Sequence, residues 1–380
     1  MNCELNFDDI RPYVDGEIPA AMLRIARSEV FPLVAAYVYP NESLEKVRSR
    51  IAGYRSTRDF QHETMYRVNE QVIGKTISHY SCDGLERLDP TTPYLYISNH
   101  RDIMLDASLL QYSLVKAGFD TTEITFGANL MTHPLVVDIG KCNKMFRVER
   151  PGGGIREFYR ASLHLSNYIR HTIAQKRQSV WIAQRNGRTK DGNDQTDQGI
   201  IKMFCMSMSD DKIAALDELH LVPVAISYEW EPCDILKTLE LYQSRREKYV
   251  KKPGEDLNSI LTGLYQHKGE VHIQVCEPIR HEELTAFQAM TNSEYHKAVA
   301  TLTDRRILAA YRLYPNNFIA HDLLHGCRQF ANHYTEQQRQ DFTRHIQQLE
   351  RYGDYDVGQL LDILLGIYAN PVDNKRRAAL

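Results

Sequence analysis

The chain has 380 residues, a net charge of −3, and nearly equal numbers of basic and acidic side chains. This length is enough to bury a large core, and the charge balance argues against a general nucleic-acid-binding protein. The seven cysteines are dispersed without a CxxC pair, so we expect reduced thiols in a cytoplasmic compartment and no disulfide framework.

The first 81 residues have a helical pattern. Helices are predicted over 18–39, where Pro32 divides the segment, from about residue 41, and over 58–79. The acidic, polar start is unlike a signal peptide. Residues 21–39 have a broad apolar side, which would pack onto the rest of the protein or lie on a membrane surface.

Strands and helices alternate from residue 82 to 285, which predicts an α/β fold with a mostly parallel central sheet and helices on both faces. Predicted strands cover residues 94–98, 123–128, 145–149, 179–183, 221–228 and 270–276. Residues 286–380 are helical again and end in a charged tail that we expect to fray. We therefore divide the chain into a helical N-terminal region (1–81), an α/β domain (82–285) and a helical C-terminal region (286–380).

The most informative stretch is the turn after the strand at 94–98. Asn99, His100, Arg101 and Asp102 break the strand pattern, and a helix is predicted from residue 103, with Asp106 in its first turn. An imidazole can take a proton while a carboxylate holds its other nitrogen in the right tautomer. The alternative is that the aspartates only neutralise the positive end of the helix.

Two later strands also run into polar, glycine-bearing turns. Arg150 follows one strand, and Arg185, Gly187, Arg188 and Thr189 follow another. In a parallel sheet all three turns would open on the same edge. Arginine binds phosphate bidentately and glycine turns expose backbone amides, so the edge would hold an anionic molecule beside a general base.

These segments resemble four sequence blocks of the glycerolphosphate and lysophosphatidic acid acyltransferases. The blocks correspond to Asn99-His100-Arg101 with Asp106, to 146–150, to 186–189 and to the Val-Pro-Val strand at 222–227. The chain departs from the family in having five residues between His100 and Asp106 instead of four, so Asp102 is also a candidate partner of the histidine. It also has Asn186 where the third block carries glutamate.

The resemblance implies an enzyme that transfers a fatty acyl group from acyl-CoA or acyl-carrier protein to the hydroxyl of glycerol 3-phosphate, a lysophospholipid or a related acceptor. His100 and Asp106, with Asp102 as the alternative, would be catalytic. The substrate-binding residues would be Asn99, Arg101, Arg150, Arg185, Gly187, Arg188 and Thr189. The resemblance implies no metal and no other cofactor, and peripheral contact with a membrane is compatible with lipid substrates.

Two other functions are open at this point. His321 and His325 have the i, i+4 spacing of zinc ligands on a helix, which would suit a zinc-dependent hydrolase, but no third ligand is evident nearby in the sequence. We expect instead two packed histidines. The departures in the third block would also suit a non-catalytic lipid-binding relative of the acyltransferases.

Overall fold

Seven strands form one sheet in the computed structural model, which describes residues 6–131, 133–149 and 154–378. They are β1 (Ile77–Asp83), β2 (Leu95–Ser98), β3 (Glu123–Gly127), β4 (Met145–Val148), β5 (Val180–Ala183), β6 (Leu221–Tyr228) and β7 (Gly269–Val275). Their order across the sheet is β1-β7-β6-β2-β5-β3-β4. All neighbours are parallel except β6 and β7, so the predicted α/β class with a mostly parallel sheet is confirmed.

Helices precede, connect and follow the strands. The N-terminal ones are α1 (Ile18–Arg27), α2 (Phe31–Val38), α3 (Leu44–Gly53), α4 (Thr57–Asp59) and α5 (Tyr66–Thr76), with a π-helical segment Phe60–Met65 between α4 and α5. Between the strands lie α6 (Leu105–Lys116), α7 (Pro134–Cys142), α8 (Ile155–Arg170), α9 (Gln198–Cys205), α10 (Lys212–Asp217), α11 (Asp234–Ser244) and α12 (Glu255–Tyr265). After β7 come α13 (His281–Thr285), α14 (Asn292–Ala310), α15 (Pro315–Leu324), α16 (Glu336–Ile346) and α17 (Val357–Ala378).

The sheet has an apolar core on each face, because successive side chains of a strand point to opposite sides. Leu95 and Ile97 of β2 belong to a core that includes residues of α8, α9 and α14. Tyr96, between them, belongs to a second core with residues of α5 and α6. β6 is buried along its whole length, as expected for a central strand covered on both faces.

The helical regions before and after the sheet have apolar clusters of their own. One cluster joins α1, α2 and α3 to α7. α1 buries its apolar side there, whereas α2 leaves Leu33 76% exposed. The other cluster joins α11, α15, α16 and α17. No helix in the described ranges combines the length and apolar character needed to cross a bilayer.

Two sequence predictions are wrong. The helix predicted over 58–79 ends at Thr76, because the next residues pair with β7 as strand β1, which the sequence analysis missed. The tail predicted to fray is helical to Ala378, and Asn374 donates its side-chain amide to the carbonyl of Gly192 at 3.1 Å. The division of the chain at residues 82 and 285 stays a prediction.

Candidate active site

His100 lies on the connection between β2 and α6, at the carboxyl end of β2. Its Nδ1 is 2.8 Å from Oδ2 of Asp106, in the first turn of α6. The histidine side chain is 14% exposed and the Asp106 side chain is fully buried. The rings of His100 and Trp181 of β5 are in a T-shaped contact, with centroids 5.8 Å apart and an angle of 74° between their planes. The structure therefore brings together the predicted histidine and one of its two predicted partners.

Asp106 is the acceptor of four hydrogen bonds. Besides the imidazole, its Oδ2 accepts from the backbone amides of Arg101 at 2.6 Å and Asp102 at 2.9 Å. Its Oδ1 accepts from the hydroxyl of Tyr228, which is buried at the end of β6, at 2.7 Å. An ionised carboxylate has no proton to donate, so His100 must carry its proton on Nδ1. In the neutral ring this leaves Nε2 free to accept a proton from another molecule.

Asp102 has a different role in the turn. Its Oδ1 accepts from the amides of Met104 and Leu105 at 2.9 and 2.8 Å, which satisfies donors at the start of α6. The helix predicted from residue 103 begins only at Leu105, so Asp102 lies outside α6. Burial raises the pKa of Asp102, and the nearby Asp106 charge raises it further.

Arg101 does not face the site. Its side chain is 1% exposed and lies between two acidic side chains, with Nη2 2.7 Å from Asp194 and Nη1 3.0 Å from Glu231. The ring of Tyr311 covers the guanidinium at 5.2 Å. Lys237, also buried, donates to the Arg101 carbonyl at 2.8 Å and pairs with Glu231. The charge of Arg101 is thus already neutralised inside the protein.

Asn99 is also fully buried and attaches the turn to β6. Its side-chain amide accepts from the amide of Ile226 at 2.8 Å and donates to the Ile226 carbonyl at 2.9 Å. The same Nδ2 donates to Asp194 at 3.1 Å. Asn99 therefore continues the contact between β2 and β6 beyond the last paired residues, and it fixes the residue that precedes His100.

The loop after β5 runs beside the His100 turn. Gln184 donates its amide to the carbonyl of Ser98, and Thr189 donates its amide to the carbonyl of His100, both at 2.7 Å. Between them, Gly187 has a φ of +76° with open space around its α-carbon. The amides of residues 185–188 donate to no other group in the described part of the chain. They are free to bind an anion.

Arg185 and Arg188 are the cations that this loop contributes. Both are partly buried, and within residues 6–131, 133–149 and 154–378 neither has an acidic partner. Nη1 of Arg188 is buried without a hydrogen-bond partner there. The positive charge of Arg188 partly opposes the burial that raises the pKa of Asp102, so the guanidinium lies near the His100 turn. Lys190, in contrast, is paired with Glu240.

The third predicted turn follows β4. β2, β5, β3 and β4 are parallel neighbours, so the carboxyl end of β4 lies at the same edge of the sheet as the carboxyl ends of β2 and β5. Arg147 of β4 is paired with Glu149 at 2.6 Å. Arg150 lies outside the described residues, so its place in the site stays a prediction.

The residues that support the site from other elements could not be identified from the sequence. Tyr228 is the last residue of a correctly predicted strand, but the register that brings it to Asp106 cannot be read from the sequence. Asp194 lies in the loop between β5 and α9, and its contacts with Asn99 and Arg101 span more than 90 positions. A buried arginine requires such acidic partners, but the sequence does not show that Arg101 is buried.

No family model and no curated protein sequence matches the chain. Among solved structures, the chain is similar to the crystal structure of the 1-acyl-sn-glycerophosphate (LPA) acyltransferase PlsC from Thermotoga maritima. The two are 14% identical over 74% of this chain and 91% of that chain, with a TM-score of 0.37. A likeness of this extent does not establish a family.

The loop that carries Asp194 is also held by Asp304 of α14, which predicts a pH dependence of stability. Asp304 accepts from the amide and hydroxyl of Thr196 at 2.7 and 2.6 Å. Burial, opposed by these two hydrogen bonds, raises the pKa of Asp304 from 3.8 to about 6. Between pH 3.8 and about 6, Asp304 is ionised in the unfolded chain but still protonated in the folded protein. The free energy of unfolding should therefore fall as pH rises from about 4 to about 6.

Asp304→Asn keeps the accepting oxygen and removes the titration. We expect the variant to be more stable than the wild type at pH 7, by up to about 3 kcal/mol, and equally stable near pH 4. Urea unfolding of both proteins at pH 4, 5, 6 and 7 measures the difference. Parallel stability curves for the two proteins across this range would contradict the assignment.

Proposed function

We propose that the protein is an acyltransferase that moves a fatty acyl group from a thioester, acyl-CoA or acyl-carrier protein, to a hydroxyl of an anionic acceptor. The observation that carries the proposal is the hydrogen bond between His100 Nδ1 and the buried Asp106, which leaves Nε2 of the imidazole as a base. The four sequence blocks supply the reaction class, and the turns of the first and third blocks are in contact through Thr189 and His100.

The geometry supports general-base catalysis by His100. Nε2 takes the proton of the acceptor hydroxyl as its oxygen attacks the thioester carbonyl. The tetrahedral intermediate then breaks its carbon–sulfur bond, and the protonated imidazole returns the proton to the leaving thiolate. Asp106 stabilises the imidazolium formed between the two steps, and Tyr228 holds Asp106 in place. The products are the acyl ester and the free thiol, and the mechanism uses no metal or redox cofactor.

The free amides of residues 185–188 are the proposed stabilisers of the oxyanion in that intermediate. They belong to a loop that is tied to the His100 turn at both ends, by Gln184 and by Thr189. A preorganised donor of this kind needs no reorganisation when the negative charge develops. Gly187 suits the position because its positive φ is a backbone conformation that other residues adopt at a cost.

Arg185 and Arg188 are the proposed binding groups for the acceptor's phosphate, with Arg150 as a further candidate. Arginines paired with protein carboxylates would have to give up that pairing to bind phosphate, and these two have no such partner in the described ranges. The acceptor class that fits is glycerol 3-phosphate or a lysophospholipid, which places the reaction in phospholipid biosynthesis. Arg101, already paired inside the protein, has a positioning role in this proposal.

Three substitutions test the catalytic assignment. We expect His100→Ala to lower kcat by about 10²- to 10⁴-fold, because the base is lost. Asp106→Asn should also lower kcat by about 10²-fold or more, because the amide stabilises the imidazolium less and favours the wrong tautomer. Asp102→Asn is the matched control: it makes the same chemical change four positions away, keeps the capping oxygen, and should retain most of the activity.

The assay is transfer from radiolabelled acyl-CoA or acyl-carrier protein to glycerol 3-phosphate and to lysophosphatidic acid. Circular dichroism of each variant shows whether it is folded. A folded His100→Ala protein with wild-type turnover would refute the mechanism. Binding of both substrates without turnover by the wild type would favour the non-catalytic lipid-binding alternative.

Substitution of Arg188 tests the phosphate site. Arg188→Gln should raise KM for the phosphorylated acceptor by about 10- to 100-fold and leave KM for the acyl thioester nearly unchanged, because only the acceptor's phosphate loses a charged hydrogen bond. Lys190→Gln removes a nearby positive charge that already has a partner, Glu240, and serves as the control. Equal KM values for Arg188→Gln and Lys190→Gln would speak against the assignment.

Peripheral contact with a membrane belongs to the same proposal, and α2 is the segment that supports it. Leu33 and Val34 on α2 are 76% and 44% exposed. We expect the double variant Leu33→Ser/Val34→Ser to sediment less with anionic phospholipid vesicles, because about 0.8 kcal/mol of transfer free energy is lost for each CH₂ no longer buried. Val250→Ser, at another exposed apolar side chain (74%), is the control. Unchanged sedimentation of the double variant would exclude α2 as the contact.

A further inference from the structure

His321 of α15 and His325, the residue directly after that helix, lie together, apart from the residues assigned to acyl transfer. The rings of His321 and His325 have centroids 4.5 Å apart. His321 is only 4% exposed, whereas His325 is exposed to solvent. The spacing is that of two metal ligands on one helix face, but the sequence near them offered no third ligand.

The structure supplies a third donor from α17. Oδ1 of Asp373 is 3.7 Å from Nε2 of His321. One donor atom from each of His321, His325 and Asp373 can be chosen so that all three lie within 4.8 Å of one another. In the described part of the chain, the side chains of His325 and Asp373 make no hydrogen bond. Both are at the surface, so they can close on an ion by rotating.

The other ring nitrogen of His321 faces a second carboxylate. Nδ1 is buried without a hydrogen-bond partner in the described residues and lies 3.7 Å from Oδ1 of Asp322. Asp322 is held in place by the amide of Phe330 and the hydroxyl of Tyr334. Histidines that bind metals through one nitrogen usually donate the other N–H to a carboxylate, which fixes the ring. Asp322 is placed to receive that hydrogen bond once the ring shifts by a fraction of an ångström.

A second set of donors, His321 with Asp322 and Cys327, is also compact. In that set, however, the donors already bind one another or other groups. Asp322 accepts from Phe330, Tyr334 and the thiol of Cys327. A metal there would have to displace these contacts, whereas the set with His325 and Asp373 displaces none.

We propose that His321, His325 and Asp373 bind one divalent transition-metal ion of the zinc type. Two imidazoles and one carboxylate suit Zn²⁺ and are poor ligands for Mg²⁺ or Ca²⁺, which prefer oxygen. Water takes the fourth position. The inference does not depend on the acyltransferase proposal.

The ion would join α15 to α17, and α17 in turn contacts the loop beside the active site. Asn370 and Asn374 of α17 donate to the carbonyls of Asp191 and Gly192 at 2.7 and 3.1 Å. A Cβ added at Gly192 would lie 2.3 Å from the carbonyl oxygen of Ile367, which shows how closely the helix and the loop approach. The metal site thus has a structural role: it stabilises the position of α17, which packs on the loop carrying Asp194. It has no role in catalysis.

Zinc binding to the full chain, freed of metal by a chelator and dialysed, tests the proposal. Isothermal titration with Zn²⁺ should give one site per chain, and Co²⁺ in its place should show the visible absorption of a four-coordinate ion. His325→Gln and Asp373→Asn should each weaken Zn²⁺ binding by at least about tenfold. His325 and Asp373 are at the surface, so both variants should unfold like the wild type when metal is absent.

Two control variants separate this site from its neighbours. His333→Gln changes a nearby histidine outside the donor set, and Cys327→Ser removes the thiol of the alternative set. Both should bind Zn²⁺ as the wild type does. The proposal is overturned if the wild type binds less than one Zn²⁺ per chain, if His325→Gln and Asp373→Asn bind normally, or if Cys327→Ser abolishes binding.

Discussion

The buried guanidinium of Arg101 is the constraint on which the arrangement of the site depends. A charge removed from water is tolerated only beside opposite charges, and breaking such a pair typically costs about 3–5 kcal/mol. Its two partners come from different parts of the chain, Asp194 from the loop after β5 and Glu231 from the segment after β6. The connections that follow β2, β5 and β6 are therefore held together by the ion pairs of Arg101. The residue before Arg101 is His100, so the same pairing fixes the backbone of the proposed base.

Asp106 links this fixed backbone to the tautomer of the His100 imidazole. Two of its four hydrogen bonds come from amides of the turn itself, and one comes from Tyr228 on β6. These donors hold the carboxylate in an environment from which water is excluded, where an interaction between charges is stronger than in water. The hydrogen bond to that carboxylate keeps the proton of the imidazole on Nδ1. The proposed base is thus held in place because the backbone amides of its own turn donate to Asp106.

Periodicity and turn chemistry predicted most of the sheet but little of the support of the site. Six of the seven strands were predicted within a residue or two, because buried parallel strands are continuous apolar runs. β1 was missed because its residues follow a helix without a glycine or proline between them. Asp102 was an alternative to Asp106 because five residues instead of four separate His100 from Asp106. The helix α6 begins two residues later than predicted, which leaves Asp102 outside it. The resemblance placed Arg101 among the substrate-binding residues. Its burial could not be predicted, because burial depends on the whole fold and not on the neighbouring sequence.

The contacts between α17 and the loop at Asp191 and Gly192 bear on the order in which the protein can assemble. Each of the two hydrogen bonds joins residues about 180 positions apart. During synthesis the strands around His100 leave the ribosome long before α17 does, so for that interval the loop lacks the helix that covers it. Pairing at such sequence separation is slow because loop-closure entropy is lost before contacts compensate for it. The proposed site is therefore completed late in biosynthesis, although its first residues are made early.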